Sequence, residues 1–113
     1  MFDDDSESAR RIRQLNDALR SSFAGGLVMV TRGVEALPRE MRRALLAEVR
    51  AFSAFTVDND IHGEHDFGVI ERDGIKCFWK IDYYDREMEM MSPDPGDPDV
   101  TTRVLTVMLA DEY

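Results

Sequence analysis

A single cysteine, Cys77, occurs in 113 residues. No disulfide can form within the chain, so cross-linking plays no part in its folding. No apolar run approaches the roughly 20 residues that a membrane helix needs. The opening residues MFDDDSES lack the basic and apolar stretches of a secretory signal. Together these absences lead to the expectation of a chain in a reducing, cytoplasmic compartment, with no membrane partner. Glycines are sparse and make neither a G-x-G-x-x-G turn nor a P-loop. No serine sits in a G-x-S-x-G elbow. Repeats and low-complexity tracts are lacking too.

Basic residues are scarce where acids are dense. Over residues 1–50, nine arginines meet eight acidic side chains, a net charge of +1. Over residues 51–113, five basic residues meet fifteen acidic ones, a net charge of −10. Such a lobe repels nucleic-acid phosphates, which argues against direct nucleic-acid binding. Two readings stand: a surface that keeps molecules apart in solution, or one that attracts a cation or a basic protein. The length suits one domain over residues 1–113, with residues 1–5 expected to be disordered.

Ala9, Ile12, Leu15, Leu19 and Phe23 recur at three- and four-residue steps, predicting a first helix over Ser6 to Ser22. Asp4 and Glu7 are positioned to cap it, and Gly25-Gly26 to end it. Leu27–Thr31 reads as a short buried strand, and Arg32-Gly33 as a turn. A second helix starts at Pro38, with Met41, Leu45, Val49 and Phe52 inward and Arg39, Arg42, Arg43 and Arg50 outward.

Asp73-Gly74 between two apolar runs is the signature of a two-residue hairpin. Its register sets Glu71 opposite Lys76, Ile70 opposite Cys77 and Gly68 opposite Trp79, with the indole over the bare glycine. Cys77 falls on the core face and is expected to be an inert thiol. Beyond the hairpin, Glu87–Met91 is expected to form a third strand with Met88 and Met90 inward. The prolines at 93, 95 and 98 then exclude regular structure. A third helix is expected from Pro98 to about Asp111, burying Val100, Val104, Leu105 and Met108. The expected fold class is α+β: two N-terminal helices with a short strand, an antiparallel hairpin or meander, and a C-terminal helix packed on one sheet face.

The densest polar stretch, Asp58 to Asp66, holds both histidines and four carboxylates. It begins like a calcium loop, but the twelfth place is Val69 where a bidentate Glu is required, so that reading is rejected. Imidazole and carboxylate are ligands of divalent transition metals, which makes His62, His65 and Asp66 candidate metal ligands. Extending the hairpin register sets His65 opposite Asp82, a carboxylate suited to orient the ring for metal binding or base catalysis. The other reading is a His–Asp bond that pins the loop to the sheet.

The stretches GGLVMVTRGVEALP, FTVDNDIHGEHDFG, FWKIDYYD and SPDPGDPDVTTRVLTVMLADEY resemble an uncharacterised family of small bacterial proteins. Its members are often carried on plasmids and other mobile elements. The resemblance implies that His62, Glu64, His65, Asp66, Lys80, Asp82, Tyr83 and Tyr84 belong to the family's signature blocks, and it carries no known activity. Combined with the acidic lobe and the missing nucleophile, it leads to a non-enzymatic interaction protein as the expected function. In its concrete form, carboxylates stand where phosphates would sit and block a nucleic-acid-binding host-defence complex. Asp82, Glu87, Glu89, Asp94, Asp97 and Asp99 are the expected contacts, and no cofactor is needed. The alternative is a metal-dependent enzyme centred on His62, His65, Asp66 and Asp82.

Overall fold

A computed structural model describes residues 6–113, so Asp4 and the expectation of disorder over residues 1–5 lie outside the described residues. The order of elements is α1 (Glu7–Ser22), β1 (Leu27–Val30), α2 (Arg32–Glu35), α3 (Arg39–Ala51), β2 (Phe67–Arg72), β3 (Ile75–Tyr84) and β4 (Thr102–Leu109). Short 3-10 turns at Pro98–Val100 and Ala110–Glu112 flank β4. The fold is α+β, with helices against a four-stranded mixed sheet ordered β1-β4-β3-β2. No described helix is long and apolar enough to cross a membrane.

The first helix begins where Ser6 Oγ accepts the Ala9 N–H at 3.0 Å, filling one of the free amides of its first turn. It ends at Phe23, not at the glycines: Phe23 takes the left-handed conformation at φ 59° and returns its N–H to Leu19 O at 2.7 Å. Arg32-Gly33 opens the single helical turn α2 where a simple reversal was expected.

The hairpin register is the expected one, with Ile70 against Cys77 and Glu71 against Lys76. Asp73 and Gly74 both have positive φ, at 51° and 82°, as a type I′ turn requires. Gly68 lies opposite the fully buried Trp79, and a Cβ there would stand 2.3 Å from the indole Nε1.

Three expectations are corrected. The C-terminal segment is the strand β4, not a helix. It lies between β1, to which it runs parallel, and β3, to which it runs antiparallel. Val104, Leu105 and Met108 are buried as expected, but by two-sided burial of a central strand and not by a helical stripe. Glu87–Met91 forms no strand. The chain reverses over Asp85–Met88, Asp85 N–H bonds Met90 O at 2.8 Å, and one bridge joins Tyr84 to Met91. Its methionines point outward. Finally, β1 is an edge strand, leaving Leu27 45% and Met29 53% exposed, because only β4 borders it.

The core lies on one sheet face. Leu19, Val34, Leu45 and Val49 from the helices meet Ile70, Cys77, Trp79, Ile81, Leu105 and Val107 from the strands. The buried Cys77 thiol is pushed above its ordinary range, chiefly by that burial, which fits an inert side chain. Two long connections, residues 52–66 from α3 to β2 and residues 85–101 from β3 to β4, pass beside α1.

Candidate functional site

Several α1 side chains hold these connections. Asn16 is fully buried. Its amide donates to Glu64 O at 3.0 Å and to the Tyr83 hydroxyl at 2.8 Å, while Oδ1 accepts from Arg103 Nε at 2.7 Å. Every side-chain donor and its acceptor oxygen are thus used. Tyr83 passes its own proton to Glu64 Oε1 at 2.9 Å. The Arg103 guanidinium lies 5.2 Å over the Tyr83 ring and donates to Pro95 O. Burial pushes the Tyr83 phenol far above its ordinary value and lowers that of Arg103.

One turn further along α1, Arg20 donates to the Val49, Arg50 and Phe52 carbonyls at 3.1, 3.2 and 2.9 Å, closing the end of α3. It also holds Asp17 Oδ1 at 3.1 Å. That same oxygen accepts His65 Nδ1 at 2.8 Å. The imidazole stacks flat on Phe55, with centroids 3.7 Å apart and planes 3° apart. Its backbone N–H bonds Asp60 Oδ1 at 3.0 Å, and its Nε2 lies 3.4 Å from Asp60 Oδ2.

The carboxylates that orient His65 are therefore Asp17 and Asp60, not Asp82. The ladder does continue one residue past β2, with Ile81 N–H bonded to Asp66 O at 2.9 Å. His65 then adopts φ 56°, which turns its side chain out of strand alternation. Asp82 shares the opposite sheet face with Lys80, which binds it. Lys80 is held above its ordinary value, chiefly by that hydrogen bond.

His62 is exposed and stands close enough to Glu64 and Asp66 to favour their charged forms. Among the described residues, no three His, Cys, Asp or Glu side chains gather closely enough to hold a metal ion. The tight contacts of the His–Asp stretch tie the loop to α1. Asp17 and Asn16 carry that function without any motif. The available signal was polarity on the helical stripe, since Asn16 follows Ile12 by four positions and precedes Leu19 by three.

Of the expected acidic contacts, Asp94 Oδ1 accepts the Gly96 N–H at 3.2 Å and Asp97 Oδ1 the Asp99 N–H at 2.9 Å, so both shape their own loop. Arg86 bonds Asp99 O at 2.9 Å. Two further arginines reach the connections: Arg13 binds Gly63 O at 2.6 Å, and Arg103 binds Pro95 O. Glu87 and Glu89 are exposed at the reversal, beside Met88, Met90 and Met91, which are 43%, 71% and 77% exposed.

Comparison with family models matches residues 30–112 to the family described as Protein of unknown function (DUF3768). The chain belongs to this family. No curated protein and no solved structure matches it. The DUF3768 match takes in β2, β3 and β4, only the last residue of β1, both long connections and the His–Asp stretch. Asn16, Asp17 and Arg20 precede it, so the α1 residues that bind the DUF3768 loop lie outside the matched region.

A pH effect follows from two carboxyls in this site. Burial is the main cause that raises Glu64 and Asp66 above their ordinary values of 4.5 and 3.8. The folded protein then binds these protons more tightly than the unfolded chain does. Both groups cost stability at neutral pH. That cost is relieved as pH falls through the folded values and is gone below the ordinary ones. Glu64→Gln with Asp66→Asn should therefore be as stable as wild type or more so near pH 7, and should lose that advantage near pH 4. Urea unfolding across this range checks it, and a stability difference independent of pH contradicts it.

Proposed function

We propose that this protein is a non-enzymatic interaction module that docks a basic protein surface through the reversal Asp85–Met91. The carrying observation is the exposure of Met88, Met90 and Met91 between the carboxylates of Glu87 and Glu89. Methionine is flexible and polarizable, and suits a surface that adapts to a partner. Met88 also holds φ 59°, a conformation costly for a side chain of its kind and retained at an exposed tip. Over residues 85–99, six acids face one arginine, so the loop carries −5. Electrostatic steering toward a basic partner follows from that imbalance.

Asp94, Asp97 and Asp99 follow the tip within the 85–101 connection, and Asp82 precedes it on β3, paired with Lys80. The specific form of this reading is a mobile-element accessory protein that occupies the phosphate-binding surface of a nucleic-acid-binding defence complex. Its support is the charge of the loop and the sequence resemblance described above.

The test is co-purification from native cells at graded salt, using wild type, Glu87→Lys/Glu89→Lys and Met88→Ser/Met90→Ser/Met91→Ser. The partner should carry a basic surface and leave the wild type as salt rises. Each variant should bind about tenfold or more weakly, the charge pair by slower association and the methionines by faster release. Equal retention by all three proteins, or indifference to salt, removes the proposal.

A further inference from the structure

The described helices pack against one face of the sheet, that of Cys77, Trp79 and Leu105. Strand alternation turns Leu27, Met29, Phe67, Val69 and Phe78 to the other face. We infer that this second face binds a second copy of the chain, forming a twofold dimer in which the two sheets pack face to face.

The face is apolar around a charged centre. Leu27, Met29 and Val69 are exposed, and Phe67 and Phe78 are half-buried. Tyr113, 74% exposed, sets its ring 6.1 Å from Phe67 and 5.3 Å from Phe78 and extends the same surface. Single exposed apolar residues are ordinary, but these share one face. The register aligns Met29, Thr106, Lys80 and Phe67 in one row across the four strands, so apolar side chains stand on both sides of Lys80.

Charge identifies the occupant. The strand residues of this face carry Lys76 and Lys80 against Glu71 and Asp82, a sum of zero in a chain of net charge −9. Two such chains repel, and this face lets them meet with no excess charge in contact. A basic protein is drawn instead to the 85–99 loop. The face is also self-complementary. Lys80 and Asp82 are near neighbours on β3 and pair with each other. A twofold axis crossing β3 between them, at Ile81, sets Lys80 of each copy against Asp82 of the other. An ammonium has several N–H donors and a carboxylate several lone pairs, so the pairs within and between copies form together.

Strands about 4.8 Å apart, averaging about seven residues at roughly 3.3 Å each, give the four-stranded sheet roughly 400 Å² of plane per copy. With both copies and the relief of their side chains, about 1,000 Å² leaves water, at the lower end of specific interfaces. A Kd on the order of 10 μM suits that size.

The experiment is sedimentation equilibrium of the full chain from about 1 to about 500 μM. The wild type should pass from monomer to dimer with that Kd. The dimer should tighten severalfold between about 50 and about 500 mM salt, as the repulsion of two like-charged chains is screened. Met29→Glu and Val69→Glu, both at exposed positions, should each weaken it about tenfold or more. Lys80→Glu and Asp82→Lys should each dimerise poorly alone. Mixed in equal amounts, they should form a mixed dimer at least as tight as wild type, because one copy then presents two carboxylates and the other two ammonium groups. Glu87→Lys/Glu89→Lys should dimerise no more weakly than wild type, which separates this face from the methionine tip. A wild type that stays monomeric to about 500 μM overturns the inference. So do a Met29→Glu dimer as tight as wild type, a mixture no tighter than its components, or a dimer that loosens with salt.

Discussion

Gly68→Ala should lower the unfolding free energy by about 3 kcal/mol and the melting temperature by roughly 10 °C. The added Cβ would stand 2.3, 2.6 and 2.8 Å from Nε1, Cε2 and Cζ2 of Trp79. None of these distances is tolerable, so one side must move. The indole cannot do so cheaply. It is fully buried, with Phe52 and Phe55 packed edge-on at 5.5 and 6.1 Å and the Arg20 guanidinium over it at 5.3 Å. The backbone cannot move either, because β2 is hydrogen-bonded to β3 on both sides of this position. Val69→Ala, one residue on and 42% exposed, should change stability by no more than about 0.5 kcal/mol. Trp79→Phe removes the indole atoms nearest the new methyl, along with an Nε1 that has no partner among the described residues. The double variant Gly68→Ala/Trp79→Phe should therefore be less destabilised than the sum of its parts by about 1 kcal/mol or more. Additive losses, or a Gly68→Ala protein as stable as wild type, would show that the close approach is not what requires a glycine.

That pair was legible in the sequence because a two-residue turn fixes register by counting. Asp73-Gly74 sets every partner from Phe67 to Arg72, and a glycine facing a tryptophan then has one geometric reading. The same counting failed at His65. A ladder rule assumes extended backbone, and φ 56° breaks it two residues beyond the strand. Helix α1 was legible from its apolar period, but the bonds of Asn16, Asp17 and Arg20 reach 29 to 87 positions along the chain and leave no local pattern.

The segment TRVLTVML was misread for a different reason. A central strand buries both faces, so its apolar residues run nearly together and also satisfy a helical spacing. Threonine and valine fill four of those eight positions, and this β-branched bias was the available discriminator. The methionines failed in the opposite sense. Met88 and Met90 alternate with Glu87 and Glu89 as in a half-buried strand, yet they cap a reversal and face solvent. Apolar alternation reports a face without saying whether anything covers it, and here the uncovered face is what motivates a docking surface.

The second large effect is expected at Asn16. Asn16→Ala should cost about 3 kcal/mol. Three side-chain bonds are lost together, and one of them ends on the buried guanidinium of Arg103. Hydrogen bonds to charged groups contribute about 1.5–3 kcal/mol, and a buried donor left bare adds its desolvation. Arg103 is 3% exposed, so water does not readily replace the missing oxygen. Because Asn16 touches Glu64 directly and Pro95 through Arg103, its loss should release two segments at once. Hydrogen exchange should quicken over residues 60–66 and over 92–97, while the β2–β3 hairpin keeps its protection. Tyr83→Phe removes one member of the same network but leaves the Asn16–Arg103 bond intact. It should cost about 1 kcal/mol and loosen only the first segment. A loss under about 1 kcal/mol for Asn16→Ala, or faster exchange confined to one segment, would mean that the two connections are held independently and not through this single amide.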